Sequence, residues 1–149
     1  MIRSAARRDT DGMAGAHALE GAERRHLLVP ANLLIVGLLA IHTLDHALRQ
    51  DAVVPAAGQA LGLFGMLAAL GSLALAARAG RLAPLVTGVV GMGTAAGFVV
   101  VHLLPDWGPF SQPYHGLGVD AASWLAMLLP MVGAALVGAA GLGMARARA

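Results

Sequence analysis

The stretch Leu82–Pro105, LAPLVTGVVGMGTAAGFVVVHLLP, contains no ionisable side chain before His102. An uncharged apolar run of roughly 18 or more residues is long enough to cross about 30 Å of hydrocarbon as a helix. The same reading extends along the chain in both directions. Ala52–Ala77 and Ala121–Ala145 carry no ionisable residue at all. Hydrophobic residues make up 58% of the 149 and charged residues 12%, with a mean hydropathy of +0.72. A water-soluble domain carries about 25% charged residues to cover its surface. The composition therefore predicts an all-α integral membrane protein, a four-helix transmembrane bundle with a disordered N-terminal tail.

Residues 1–26 form that polar tail, in which Arg3, Arg7, Arg8, Asp9, Asp11, Glu20, Glu23, Arg24 and Arg25 alternate with Ala and Gly. Such a segment has no apolar surface from which to build a core, and at most a frayed helix is expected near Ala14–Arg25. Residues 27–149 are the membrane domain, with spans at about 27–48, 55–77, 82–104 and 121–145. The run Leu33–Ile41 has the length of a signal-peptide core, but the long preceding tail and the continuation through Leu44 favour a retained span. Pro30 falls in the opening turn of the first span, where a missing N–H costs little. Asp120 is placed to cap the fourth span, with Ser123 three residues on. Pro130 should kink that span unless a neighbour satisfies the carbonyl it leaves free.

Orientation follows from arginine. Arg24 and Arg25 precede the first span, Arg78 and Arg81 join the second to the third, and Arg146 and Arg148 follow the fourth, against Arg49 alone on the other face. The positive-inside rule puts both termini in the cytoplasm, with Asp45, Asp51, Asp106 and Asp120 on the outer side. Arginine without lysine, in a chain rich in Ala and Gly, is the bias of a GC-rich bacterial genome and points to the plasma (inner) membrane. The lipid bilayer is the expected partner, and edge arginines account for the basic pI without nucleic acid. Gly58-x-x-x-Gly62 with Gly65, Gly88, Gly91, Gly93-x-x-x-Gly97 and Ala134-x-x-x-Gly138 allow close helix approach. They are read as packing within the bundle, with a homo-oligomer or a membrane-protein partner as the lesser alternative.

The residues able to carry chemistry gather at one face. His42-Thr-Leu-Asp45-His46 sits at the outer end of the first span, where positions i, i+3 and i+4 are neighbours. Two imidazoles can thus reach one metal, with Asp45 as a third ligand or as a hydrogen-bond acceptor behind them. The third span runs in the same direction, so His102 emerges at the same end, and the following loop adds Asp106 and His115. Ionisable groups within spans are candidates for function. His42, Asp45, His46 and His102 are accordingly the candidate ligand set, with Asp106 and His115 as additional members. Imidazole and carboxylate suit a divalent transition metal such as Zn, Cu, Ni or Fe. An alternative is haem b, held by His42 or His46 together with His102. A competing reading needs no ligand: interfacial His and Asp are solvated, or an Asp45–His102 hydrogen bond glues the helices.

With no cysteine, thiolate sites and disulfides are excluded. His42-x-x-Asp45-His46 resembles the inverted zinc-peptidase pattern His-x-x-Glu-His with Asp in place of the catalytic Glu. The pattern His-Glu-x-x-His is absent, and no family is assigned on these fragments. No nucleophile–base pair or phosphate loop is visible, so the expectation leans away from an enzyme and leaves an accessory or scaffold subunit open. The loop 105–118 carries Trp107, Phe110 and Tyr114, which read as an interfacial belt or as a lid over the cluster. Gln59 is near enough to the same end to join by hydrogen bonding.

Overall fold

The computed structural model describes the backbone of residues 2–50 and 54–147, with side chains from His26 onward. Four helices form a bundle: α1 (Ile2–Arg49), α2 (Ala56–Ala77), α3 (Ala83–Phe98) and α4 (Ala121–Arg146). A π-helical turn, Val99–Leu103, extends α3, and a short 3-10 turn, Tyr114–Gly116, precedes α4. Four segments are long and apolar enough to cross a membrane: His26–Arg49, Ala56–Ala77, Ala83–Leu103 and Ala121–Arg146. There is no strand among the described residues.

The backbone of 2–25 continues α1 as helix, where the sequence suggests a disordered tail. Its side chains lie outside the described residues, as do those of Asp51 and Arg148. The segment is rich in Ala and Arg and has no proline, so its propensity permits the extension. Pro30 consequently lies inside a continuous helix and not in a first turn.

Several polar side chains are buried beside the apolar core while many large apolar ones are exposed, unlike a soluble domain. Asn32, His42, Asp45, Ser72, Thr87, His102 and Ser123 are buried, while Leu33, Ile41, Leu63, Phe64, Leu129 and Leu136 are exposed. Each helix buries one narrow seam. In α1 the seam runs Leu28, Asn32, Ile35, Leu39, His42, His46, and in α3 with its π turn Pro84, Gly88, Gly91, Ala95, Phe98, His102. Both step alternately by four and three residues, the spacing that keeps a stripe facing its neighbours. The chemistry-bearing histidines are thus the last positions of two packing stripes.

The helices follow one another around the bundle, and α3 against α4 is the most extensive contact. It is made backbone to backbone. A Cβ on Gly91 would lie 2.7 Å from the Ala134 carbonyl oxygen, and one on Gly141 would lie 2.6 Å from the Gly88 nitrogen. Of the small residues read as packing sites, Gly88, Gly91 and Gly138 serve that purpose. Gly62, Gly65, Gly93 and Gly97 face open space. At the opposite end from the histidines, Asn32 donates to the Leu28 carbonyl at 2.8 Å and to Thr87 Oγ1 at 2.9 Å. Ser72 Oγ lies 3.2 Å from the same hydroxyl. This buried network ties α1, α2 and α3 together in place of apolar packing.

The α2–α3 turn holds one strained residue. Ala79 has φ 52°, while the N–H groups of Gly80 and Ala79 donate to the carbonyls of Leu75 (3.2 Å) and Ala76 (3.0 Å). This is the Schellman pattern, whose left-handed position normally takes glycine. Here glycine arrives one residue late. Ala79→Gly is expected to stabilise the protein by about 0.5–1 kcal/mol, after allowing for the added freedom of the unfolded chain. Thermal unfolding in detergent checks it, and a lowered Tm would count against the left-handed turn.

Candidate metal centre

Three of the four expected ligands converge. His42, His46 and His102 each present a ring nitrogen such that the three lie within 4.8 Å of one another. The ring centroids are 4.5 Å apart for His42–His46, 5.1 Å for His42–His102 and 5.7 Å for His46–His102. A tetrahedral metal with bonds of about 2.0–2.1 Å holds its nitrogens about 3.3 Å apart, within reach of small ring rotations. Phe98 closes the cluster from below, its ring 4.7 Å from His42 and 5.5 Å from His102. Tyr114 covers it from the loop, 4.9 Å from His102.

Local chemistry frees one nitrogen on each ring. His102 Nδ1 lies 3.2 Å from the Gln112 carbonyl oxygen, to which only an N–H can donate, so Nε2 keeps its lone pair. Pro130 is buried inside α4, and having no N–H it leaves the Ala126 carbonyl four residues back without its helical partner. That carbonyl faces the His42 ring. His42 Nδ1 is buried with no partner, as is His46 Nδ1. His46 Nε2 is 3.5 Å from the Tyr114 hydroxyl.

Asp45 stands behind this cluster and outside it. Its Oδ1 accepts from Ser123 Oγ at 2.9 Å and pairs with Arg49 Nε at 3.2 Å, and its Oδ2 accepts from Gln50 Nε2 at 2.9 Å. The suggested Asp45–His102 hydrogen bond does not form; the carboxylate is turned to Ser123, Gln50 and Arg49 instead. Gln50 also donates to the Tyr114 hydroxyl at 2.9 Å, which links Asp45 to the edge of His46. Burial pushes the Tyr114 phenol up to about 12, with the Asp45 charge adding to the effect. The hydroxyl therefore stays protonated throughout the physiological range.

Asp106 and His115 take no part. Asp106 Oδ1 accepts from Ser111 Oγ at 2.5 Å and from the Gly108 N–H at 3.3 Å, and these bonds hold its carboxyl below the usual range. It fixes a turn. His115 is exposed on the 3-10 turn. Gln59 bonds the Val54 carbonyl at 3.0 Å and does not join the cluster. The loop divides the two roles suggested for it. Trp107 and Phe110 are exposed and stack at 6.2 Å, as a belt would, while Tyr114 is 1% exposed and forms the lid.

The π turn accounts for how the lid is held. Leu104 N–H donates to the Val99 carbonyl at 3.1 Å, and the next carbonyls find loop partners: Trp107 Nε1 donates to Val100 at 2.8 Å and Gln112 N–H to Val101 at 2.8 Å. Single π turns concentrate at functional sites. At the start of α4, Asp120 Oδ1 accepts from the Ser123 N–H at 3.0 Å, the expected cap. This bond and the neighbouring Arg49 hold its carboxyl below the usual range. Sequence reasoning missed Gln50, Gln112 and Phe98 and placed Ser123 only beside the Asp120 cap, since none has a distinctive spacing. Only the position of Phe98 four residues before His102 placed it on the same stripe.

The fold and site define a class: a multi-pass four-helix membrane protein with a largely buried three-histidine cluster at one end. Comparison with protein-family models, with curated proteins and with solved structures finds no match for this chain.

Proposed function

We propose that the protein binds a divalent transition metal through His42, His46 and His102 at the end of its bundle, as a membrane metal-binding or metal-sensing protein. The observation that carries this is the pair of buried Nδ1 atoms, on His42 and His46, with no hydrogen-bond partner. A buried polar atom left unpaired costs about 1–3 kcal/mol, and a cluster serving only as helix glue would pair them. A metal satisfies both at once. Neutral imidazoles suit Zn, Cu(II), Ni or Fe. The Asp45 carboxylate behind them lowers the cost of placing a cation at this depth.

Haem fits less well. The imidazoles touch one another, and Phe98 and Tyr114 fill the space above and below, so no slot for a macrocycle separates any two rings. The arginine asymmetry supports cytoplasmic termini in a bacterial inner membrane and a metal centre at the outer face. Elemental analysis of detergent-purified protein grown with metal is expected to give close to one metal per chain, with loss in His42→Ala and His46→Ala. Metal-free protein under repletion ends the proposal, and a Soret band in the same sample would establish haem instead.

A further inference from the structure

A polar cavity of about 230 Å³ opens between the C-terminal end of α1 and the N-terminal end of α4, lined by Arg49, Gln50, Asp120 and Ser123 among others. Across it the Arg49 guanidinium bridges two carboxylates, with Nη2 2.6 Å from Asp120 Oδ2 and Nε 3.2 Å from Asp45 Oδ1. The two carboxylates differ in depth: Asp120 is 62% exposed and Asp45 5%. From Asp45 the polar atoms continue inward through Gln50, whose Oε1 is buried without a partner, and Tyr114 to His46. On its other side the cluster is packed against Phe98.

We infer that this cavity is the route by which a divalent cation reaches the histidines, and that Arg49 is its gate. The inference rests on the metal-site reading of His42, His46 and His102. The guanidinium occupies the place between Asp120 and Asp45 that an incoming cation would take. A divalent cation competes for both carboxylates with twice the charge, and once Arg49 swings toward water the cation meets Asp45. From there the unpartnered Gln50 oxygen and then His46 lead to the unpaired nitrogen of His42. Arg49 is about half exposed, so its release costs little compared with a fully buried pair.

The test follows the filling of metal-free full-length protein in detergent by cobalt(II), read from the visible absorption of the bound ion after rapid mixing. Arg49→Gln is expected to fill, and to lose cobalt to a chelator, about three- to ten-fold faster than wild type, the scale of breaking two part-exposed ion pairs. Its final absorbance should match wild type. Arg49→Lys should fall between the two, because an ammonium cannot span both carboxylates as the planar guanidinium does. It also carries the comparison if Arg49→Gln does not fold. Asp45→Asn is expected to slow filling. Wild-type rates with wild-type amplitude in the Arg49 variants remove the gate and leave the histidine site standing. No cobalt absorption in wild-type protein removes both.

Discussion

Alanine at both Gly138 and Gly141 is expected to destabilise the bundle strongly. A Cβ on Gly138 would meet the Met92 nitrogen at 2.7 Å, and one on Gly141 the Gly88 nitrogen at 2.6 Å and the Pro84 carbonyl at 2.7 Å. Ordinary contact begins near 3.4 Å, and backbone cannot rotate aside as a flexible side chain does. The two helices must move apart, which loses the close packing that lipid does nothing to replace. Overpacking of this kind costs about 1–3 kcal/mol per site, with coupling expected because both sites press on α3. Gly62→Ala and Gly93→Ala are the controls. Nothing lies within 4 Å of either added methyl, and helix propensity alone favours alanine over glycine by about 1 kcal/mol. Unfolding in mixed detergent should therefore separate the pairs in opposite directions. Equal midpoints for all four would contradict the backbone-to-backbone contact of α3 with α4.

His102→Ala is the second large effect, and it is read in metal affinity. Removing one of the three proposed ligands should weaken binding by more than the roughly ten- to hundred-fold typical of losing a partner that only orients a ligand. Asp106→Asn and His115→Ala, which sit outside the cluster, should leave affinity unchanged. The informative companion is His42→Leu. If the histidines exist to hold a metal, the metal-free protein carries an unpaired Nδ1 that leucine does not have. The variant should lose metal while its metal-free form is as stable as wild type, or more so by up to about 1–3 kcal/mol. An accessory role in which the histidines glue helices predicts the reverse, a loss of stability and no change in metal content. Isothermal titration with zinc, paired with thermal unfolding of the metal-free samples, distinguishes the two.

The membrane class needed no tertiary information. A helix of about 18 or more residues without a charge has no polar face to turn to water, so hydrocarbon is the solvent it suits. Leu82–Pro105 meets that condition by composition alone. The convergence of His42 and His46 was also legible, because i and i+4 on one helix are neighbours whatever surrounds them. His102 was legible as far as its end of the bundle, since alternate spans run the same way.

What the sequence could not decide was which polar atoms at that end share a point. Asp45 is one residue from His46, yet about 100° of helical rotation turns it toward Ser123 on α4 and away from the histidine cluster. His115 and Asp106 lie on a loop whose path depends on the π turn and on backbone carbonyls that Trp107 and Gln112 reach across to satisfy. Gln50 and Ser123 join the site through partners 64 and 78 residues away, and no local pattern encodes such a pairing. In a bilayer, apolar length fixes that a segment spans. Rotation about the helix axis is fixed by backbone contact, for α3 and α4 by Gly88 and Gly91 against Gly138 and Gly141, and rotation of this kind decides which side chains face one another at the histidine cluster.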